Sequence, residues 1–229
     1  MRDNAASIGV DPTRIGIHGE SAGGGLAAGL ALLARDRNFS PPIKSQILIY
    51  PMIDDRTTTP DPAIENLTIW RAADNETGWG AYLGDQKDSP DGYAVPARAT
   101  DLSGLPPAYI DVGTLDLFRD ENIAYVGKLV KAGVPVEFHL LPGLPHGWEL
   151  FGRELPELKA VFEARARAVR ALWVCRRAVI SGDEVGSRCT KHHVQHDRVV
   201  PLNAQDAFLN SKQSQCLLDL ESLPISLDL

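Results

Sequence analysis

Three side chains in this sequence have the types that together move an acyl group. They are the Ser21 hydroxyl, set in Gly19-Glu20-Ser21-Ala22-Gly23, the Asp116 carboxylate and the His146 imidazole. A serine hydroxyl is a weak nucleophile until a neighbouring base takes its proton. An imidazole is an effective base when a carboxylate fixes its tautomer and steadies the positive charge it acquires. Attack on a carbonyl carbon creates an oxyanion, which backbone N–H groups stabilise. The N–H of Ala22, directly after the serine, is the one such donor that this sequence assigns.

Elements must place these groups together, and the sequence supplies them. A short apolar run, Arg14-Ile15-Gly16-Ile17-His18, precedes the serine, and an Ala/Leu-rich segment runs from it to about Arg35. Strand, sharp turn and helix form the context in which G-x-S-x-G is a nucleophile elbow. Such a bend crowds strand against helix two residues to either side of the serine, where Gly19 and Gly23 carry no side chain. The helix N-terminus then aims free N–H groups and a positive dipole end at the reacting carbon.

Further strands are predicted at 43–50, 108–113 and 134–141, and helices at 22–35, 119–132 and 155–174. Residues 2–8 read as the last turns of a helix. Between 54 and 100 the pattern breaks into short pieces rich in Pro, Asp and Thr, with helices expected at 64–73 and 77–83. This segment reads as a lid-like insertion over the strand ends. Trp70, Trp79 and Tyr82 either line a pocket there or pack, and packing is the commoner fate of such residues. Strand–helix alternation gives an α/β fold with a parallel sheet of about four strands and flanking helices. Asp116 and His146 both follow strand C-termini, on the sheet edge where Ser21 lies and where α/β sites form.

The balance of residues narrows the partners. The 229 residues carry a net charge of -7, with 44% hydrophobic and 23% charged content. Such a charge argues against a nucleic-acid or anionic-membrane surface and suits a small-molecule substrate. No window has the apolar length of a transmembrane helix, and no basic-then-apolar leader follows Met1, so a cytoplasmic location is favoured. Cys175, Cys189 and Cys216 all fall in the last quarter, an odd count that argues against a disulfide framework. Periodicity is lost after Val174. Residues 1–174 are therefore expected to form one domain and 175–229 a poorly ordered tail.

Three motifs, Gly19-Glu20-Ser21-Ala22-Gly23-Gly24, Asp116-Leu117-Phe118-Arg119-Asp120-Glu121 and Pro142-Gly143-Leu144-Pro145-His146-Gly147, together resemble the hormone-sensitive-lipase-like branch of α/β-hydrolase esterases. The resemblance runs from about Ile8 to Leu172, and the order Ser21, Asp116, His146 is the order of that fold. It implies Ser21 as nucleophile, Asp116 as acid and His146 as base, acting on small carboxylic esters with no metal or organic cofactor. Asp120 is the rival acid, but the pattern puts the acid first and leaves Asp120 as a charge at the helix start. The family also carries an H-G-G-G stretch well before the elbow, whose N–H groups build most of the oxyanion hole. The 229 residues contain no such stretch, so the chain reads as the C-terminal part of a partial α/β-hydrolase fold, with weak activity expected of it alone. Its elbow strand would then be an exposed edge, open to self-association.

Other readings carry less. A non-catalytic binding or interaction module on the same scaffold, as in the gibberellin receptors that resemble this family, would lack a complete triad. An unstable truncated piece is the third alternative. Cys189, His192, His193 and His196 match no standard zinc spacing. Asp197 to Pro201 resembles an acid loop, but no histidine follows it. His18 and His139 are placed within strands, and Glu20 is given no catalytic role.

Overall fold

The computed structural model describes residues 2–171, apart from residues 60, 87, 89, 153 and 154. Four strands form one sheet in the order β1 (Ile17–Glu20), β2 (Gln46–Ile49), β3 (Ala108–Leu115) and β4 (Val136–Pro145), and every neighbouring pair is parallel. Parallel neighbours need crossover connections, and helices supply them. α1 (Ala22–Asp36) joins β1 to β2, and α3 (Arg119–Lys131) joins β3 to β4. The long β2–β3 connection contains α2 (Ala72–Leu83). α4 (Glu149–Gly152) and α5 (Lys159–Arg170) follow β4.

Both sheet faces are covered, and β2 shows why its run is continuously apolar. Leu48 and Ile110 face Ala28, Leu32, Tyr125 and Leu129 of α1 and α3 in one core. Ile47, Ile49 and Tyr109 face the other way, in a second core with Val112 and Ala164 of α5. A strand buried on both faces has no polar side to alternate with. The small residues of α1 let it lie close to the sheet. A Cβ at Gly25 would come within 2.1 Å of the Met52 carbonyl oxygen, and one at Gly24 within 2.7 Å of Pro51 Cβ.

The β2–β3 connection is anchored to this body. Trp79 packs with Met52, Leu83, Val95 and Phe118 in a third core, with Trp70 against it, while Tyr82 is half exposed. Arg98 forks onto Asp55 at 2.7 and 2.8 Å, and Asn75 donates to the Thr57 carbonyl at 2.7 Å. Trp79 is thus a packing residue.

Several boundaries differ from those expected. The segment around 64–71 is turn, and one helix spans Ala72–Leu83. Residues 2–8 hold a single 3-10 turn, Arg2–Asn4, followed by further turn. α5 starts at Lys159 because Pro156 opens a separate 3-10 turn. Among the described residues no helix is long and apolar enough to cross a membrane. The expected tail at 175–229, with Cys189 and its neighbouring histidines, lies outside the described residues.

Candidate active site

β1 ends at Glu20 and α1 begins at Ala22, so Ser21 alone makes the bend. It does so at φ 56° and ψ −124°, a conformation that L-residues seldom adopt. Four hydrogen bonds hold it there. The Ser21 N–H donates to the Ile49 carbonyl at 3.0 Å, as a continuation of the strand ladder. The Ser21 carbonyl accepts from Gly24 at 2.9 Å, Gly25 at 3.2 Å and Met52 at 2.9 Å. The backbone is fixed from both sides, and the Oγ is left to project.

The two glycines of the motif prove unequal. A Cβ at Gly19 would lie 2.0 Å from the Gly23 carbonyl oxygen, so the strand cannot bear a side chain there. A Cβ at Gly23 meets nothing within 4 Å. The crowding is therefore one-sided: Gly19 is required because the Gly23 backbone passes over it.

Asp116 and His146 are brought together by the pairing of β3 and β4. The register shifts between Gly113 and Leu115, after which Leu115 pairs with Pro145. One residue further along each strand stand Asp116 and His146. Gly113 permits the shift, because a Cβ there would fall 1.9 Å from the Leu144 carbonyl oxygen. Thr114 Oγ1 accepts from the Gly143 N–H at 2.8 Å and fixes the β4 end against β3.

The side chains meet as follows. His146 Nε2 lies 2.9 Å from Ser21 Oγ, and Nδ1 lies 2.8 Å from Asp116 Oδ2. A carboxylate only accepts, so Nδ1–H donates to Asp116 and leaves Nε2 to receive the serine proton. Asp116 is fully buried, and its Oδ1 accepts from the Phe118 N–H at 2.8 Å. The imidazole touches two rings, Tyr50 at 4.5 Å and Phe118 at 5.1 Å between centroids, both edge-on. Ala22 is the first residue of α1, so its N–H is among those with no acceptor inside the helix.

The other acids lie elsewhere. Asp120 is exposed and pairs with Arg119 at 2.7 Å. Asp111 is fully buried and belongs to Arg165, which forks onto it at 2.7 and 2.8 Å. His18 stands exposed on β1, 3.9 Å from Glu20. His139 bonds Glu137 at 2.9 Å and stacks near Tyr109. None of these enters the Ser21–His146–Asp116 chain of contacts.

Two buried groups near the site escaped the sequence reading. Glu121 accepts from the N–H groups of Ile53 at 2.7 Å and Asp54 at 3.3 Å and from the Thr57 hydroxyl. Burial pushes its carboxyl up to about 8, against those donors, which pull it down. Arg165 joins Asp111 to Glu149 beneath His146. A sequence signal existed for Glu121, in its Asp-Glu pair after the acid, but none for Arg165 on its amphipathic helix.

Comparison with known proteins follows the same lines. A family model described as alpha/beta hydrolase fold matches residues 1–150. Carboxylesterase NlhH of Mycobacterium tuberculosis is 38% identical over 181 residues, covering 74% of this chain and 53% of its own length. Esterase LipI of the same organism is 37% identical over 179 residues, covering 76% and 54%. Among solved structures, esterase LipW from Mycobacterium marinum superposes with a TM-score of 0.67 at 33% identity, covering 75% of this chain and 54% of that one. A bacterial heroin esterase gives 0.65 at 38% identity, covering 75% and 56%. The chain spans about half the length of the curated relatives it matches. On motifs, fold and family match together, the chain belongs to the α/β-hydrolase family, in its hormone-sensitive-lipase-like esterase branch.

Proposed function

We propose that this chain carries the reacting groups of a serine hydrolase that cleaves small carboxylic esters through an acyl-enzyme. The observation that carries the proposal is the contact chain Ser21 Oγ, His146 Nε2, His146 Nδ1, Asp116 Oδ2, with links of 2.9 and 2.8 Å, on a serine held at positive φ.

The chemistry runs in two halves. Ser21 Oγ attacks the ester carbonyl carbon while His146 Nε2 takes the hydroxyl proton. Asp116 keeps the ring oriented and balances the imidazolium. The carbonyl oxygen becomes an oxyanion, to which Ala22 offers its N–H. Collapse breaks the bond to the alcohol oxygen, which leaves with the proton from Nε2. Water then enters, gives a proton to Nε2 and attacks the acyl carbon. Ser21 leaves with that proton restored, and the carboxylic acid departs.

Relatives named carboxylesterase and esterase support this reading. So does the side-chain set, which a binding module on the same scaffold has no reason to keep aligned. The test is exposure of the chain to a fluorophosphonate, followed by peptide mass mapping. A single adduct on Ser21, absent from Ser21→Ala, is the expected result. An intact, folded chain with Ser21 unmodified would support the binding-module reading instead.

A further inference from the structure

Beneath the imidazole lies a charged cluster that the acyl-transfer steps do not use. Arg165 is 2% exposed, on α5. Its guanidinium forks onto Asp111 of β3, which is fully buried, and also pairs with Glu149, three residues after His146. Glu149 Oε2 accepts from the Tyr50 hydroxyl at 3.0 Å. Tyr50 follows β2 at φ 33°, its N–H donates to the Asp111 carbonyl at 2.7 Å, and its ring edge meets the His146 ring. The Tyr109 hydroxyl adds a bond to Asp111 at 3.0 Å. The guanidinium also sits over the rings of Tyr50 at 5.8 Å and Trp148 at 5.2 Å.

One cation on α5 thus ties the middle of β3 to Glu149 after the His146 turn, and through Glu149 to Tyr50 just past β2. Burying the Arg165 and Asp111 charges costs desolvation that their attraction recovers only in part, and apolar side chains of equal volume commonly stabilise a fold as well. Stability alone therefore does not account for the cluster. Position does, because Glu149 stands three residues after His146 and bonds Tyr50, whose ring meets the His146 ring. Tyr50 is also strained at its backbone, and a bulky residue holds such a φ only where its surroundings over-determine it. Burial and the Glu149 charge both raise the Tyr50 pKa, so its hydroxyl keeps the proton it donates.

We propose that Glu149 and Tyr50, bolted to β3 through Arg165, are positioning residues that hold the His146 imidazole on the line between Ser21 and Asp116. Glu149 sets the turn after His146. Tyr50, just past β2, packs edge-on against the imidazole, as Phe118 also does. Loss of either link lets the imidazole rock, and a displacement of about 1 Å in such an array costs up to about 10²-fold in rate.

The proposal rests on the hydrolase reading, and the experiment separates the two. Wild type, Tyr50→Phe and Glu149→Gln, each as the full chain, are titrated with a fluorophosphonate to give a maximal labelling rate and a reagent binding constant. Tyr50→Phe keeps the ring and removes only the hydroxyl link. A fall of about tenfold in the maximal rate, with the binding constant unchanged, is expected for each variant, within the range for loosened catalytic geometry. The double variant should fall no further than the lower single, because the two residues share one link. Unchanged rates in folded variants, whatever their melting temperatures, would overturn the positioning role. An inert wild type would instead contradict the hydrolase reading. The downfield proton signal of His146 Nδ1–H then decides: broadening or loss in Tyr50→Phe supports the role, and an identical signal refutes it. Should Glu149→Gln fail to fold, Tyr50→Phe decides alone.

Discussion

Ser21, Gly19 and Asp116 each show how one residue's surroundings decide its use. A non-glycine residue at the φ of Ser21 costs on the order of 1–3 kcal/mol, and the four backbone bonds around it hold it there. Gly19 has no freedom to vary. Gly19→Ala would drive its methyl to 2.0 Å from a backbone oxygen, so we expect a loss above the usual ~1–3 kcal/mol for overpacking. Gly23→Ala meets open space on a helix and should be neutral or stabilising by up to about 1 kcal/mol. Thermal melting of both variants checks the contrast, and equal losses would refute the one-sided account of the elbow. Asp116 and Asp120 form a second contrast. Asp116→Asn turns the imidazole to the wrong tautomer and should slow phosphonylation of Ser21 by about 10³–10⁴-fold. Asp120→Asn breaks only an exposed pair with Arg119 and should leave the rate within about twofold, as surface pairs contribute little. The reverse pattern would assign the acid to Asp120. That Ser21, Asp116 and His146 would be brought together was legible in the sequence, because each follows a strand and the motifs fix their order. The inequality of Gly19 and Gly23 was not legible, since it depends on which backbone passes over which.

At the scale of elements, the carboxyl of Glu121 fastens the loop after β2 to α3. Its ordinary value is 4.5, and burial raises it to about 8 in the folded chain. The folded state therefore binds the proton more tightly than the unfolded state. Stability from this group is present in full below about 4.5 and is lost as pH rises towards about 8. Denaturant midpoints measured from pH 5 to pH 8 should fall for wild type, and the fall should shrink in Glu121→Gln. A wild-type curve with the same slope as the variant would remove this group from the account. Sheet, helix α1 and helix α3 could be read from periodicity, because their apolar faces meet one another. The helix expected at 64–73 could not be excluded in that way. There the Glu65 N–H donates to the Asp61 carbonyl and the Thr68 N–H to the Ile64 carbonyl, turns that do not continue into a helix. β4 runs past its expected end at Leu141 to Pro145. Pro142 signals a loop, yet β4 is an edge strand, where a missing N–H is tolerated.

For the molecule as a whole, the sheet order leaves β1 at one edge, directly beside the elbow. The 229 residues contain no H-G-G-G stretch, and Ala22 is the one oxyanion donor assigned within them. The buried Arg165 cluster belongs to this scale as well. It joins Tyr50 after β2, Asp111 of β3, Glu149 at the start of α4 and Arg165 of α5, four places with no common motif, so only the folded chain reveals it. The most direct test of the central claim is trapping of the covalent intermediate. The chain is mixed with p-nitrophenyl acetate, quenched in acid and measured by intact and peptide mass spectrometry. The account predicts one acetyl group per chain, on Ser21, absent from Ser21→Ala and formed far more slowly in His146→Ala. Release of p-nitrophenol at equal rates from Ser21→Ala and wild type, with no acetyl on Ser21, would contradict it.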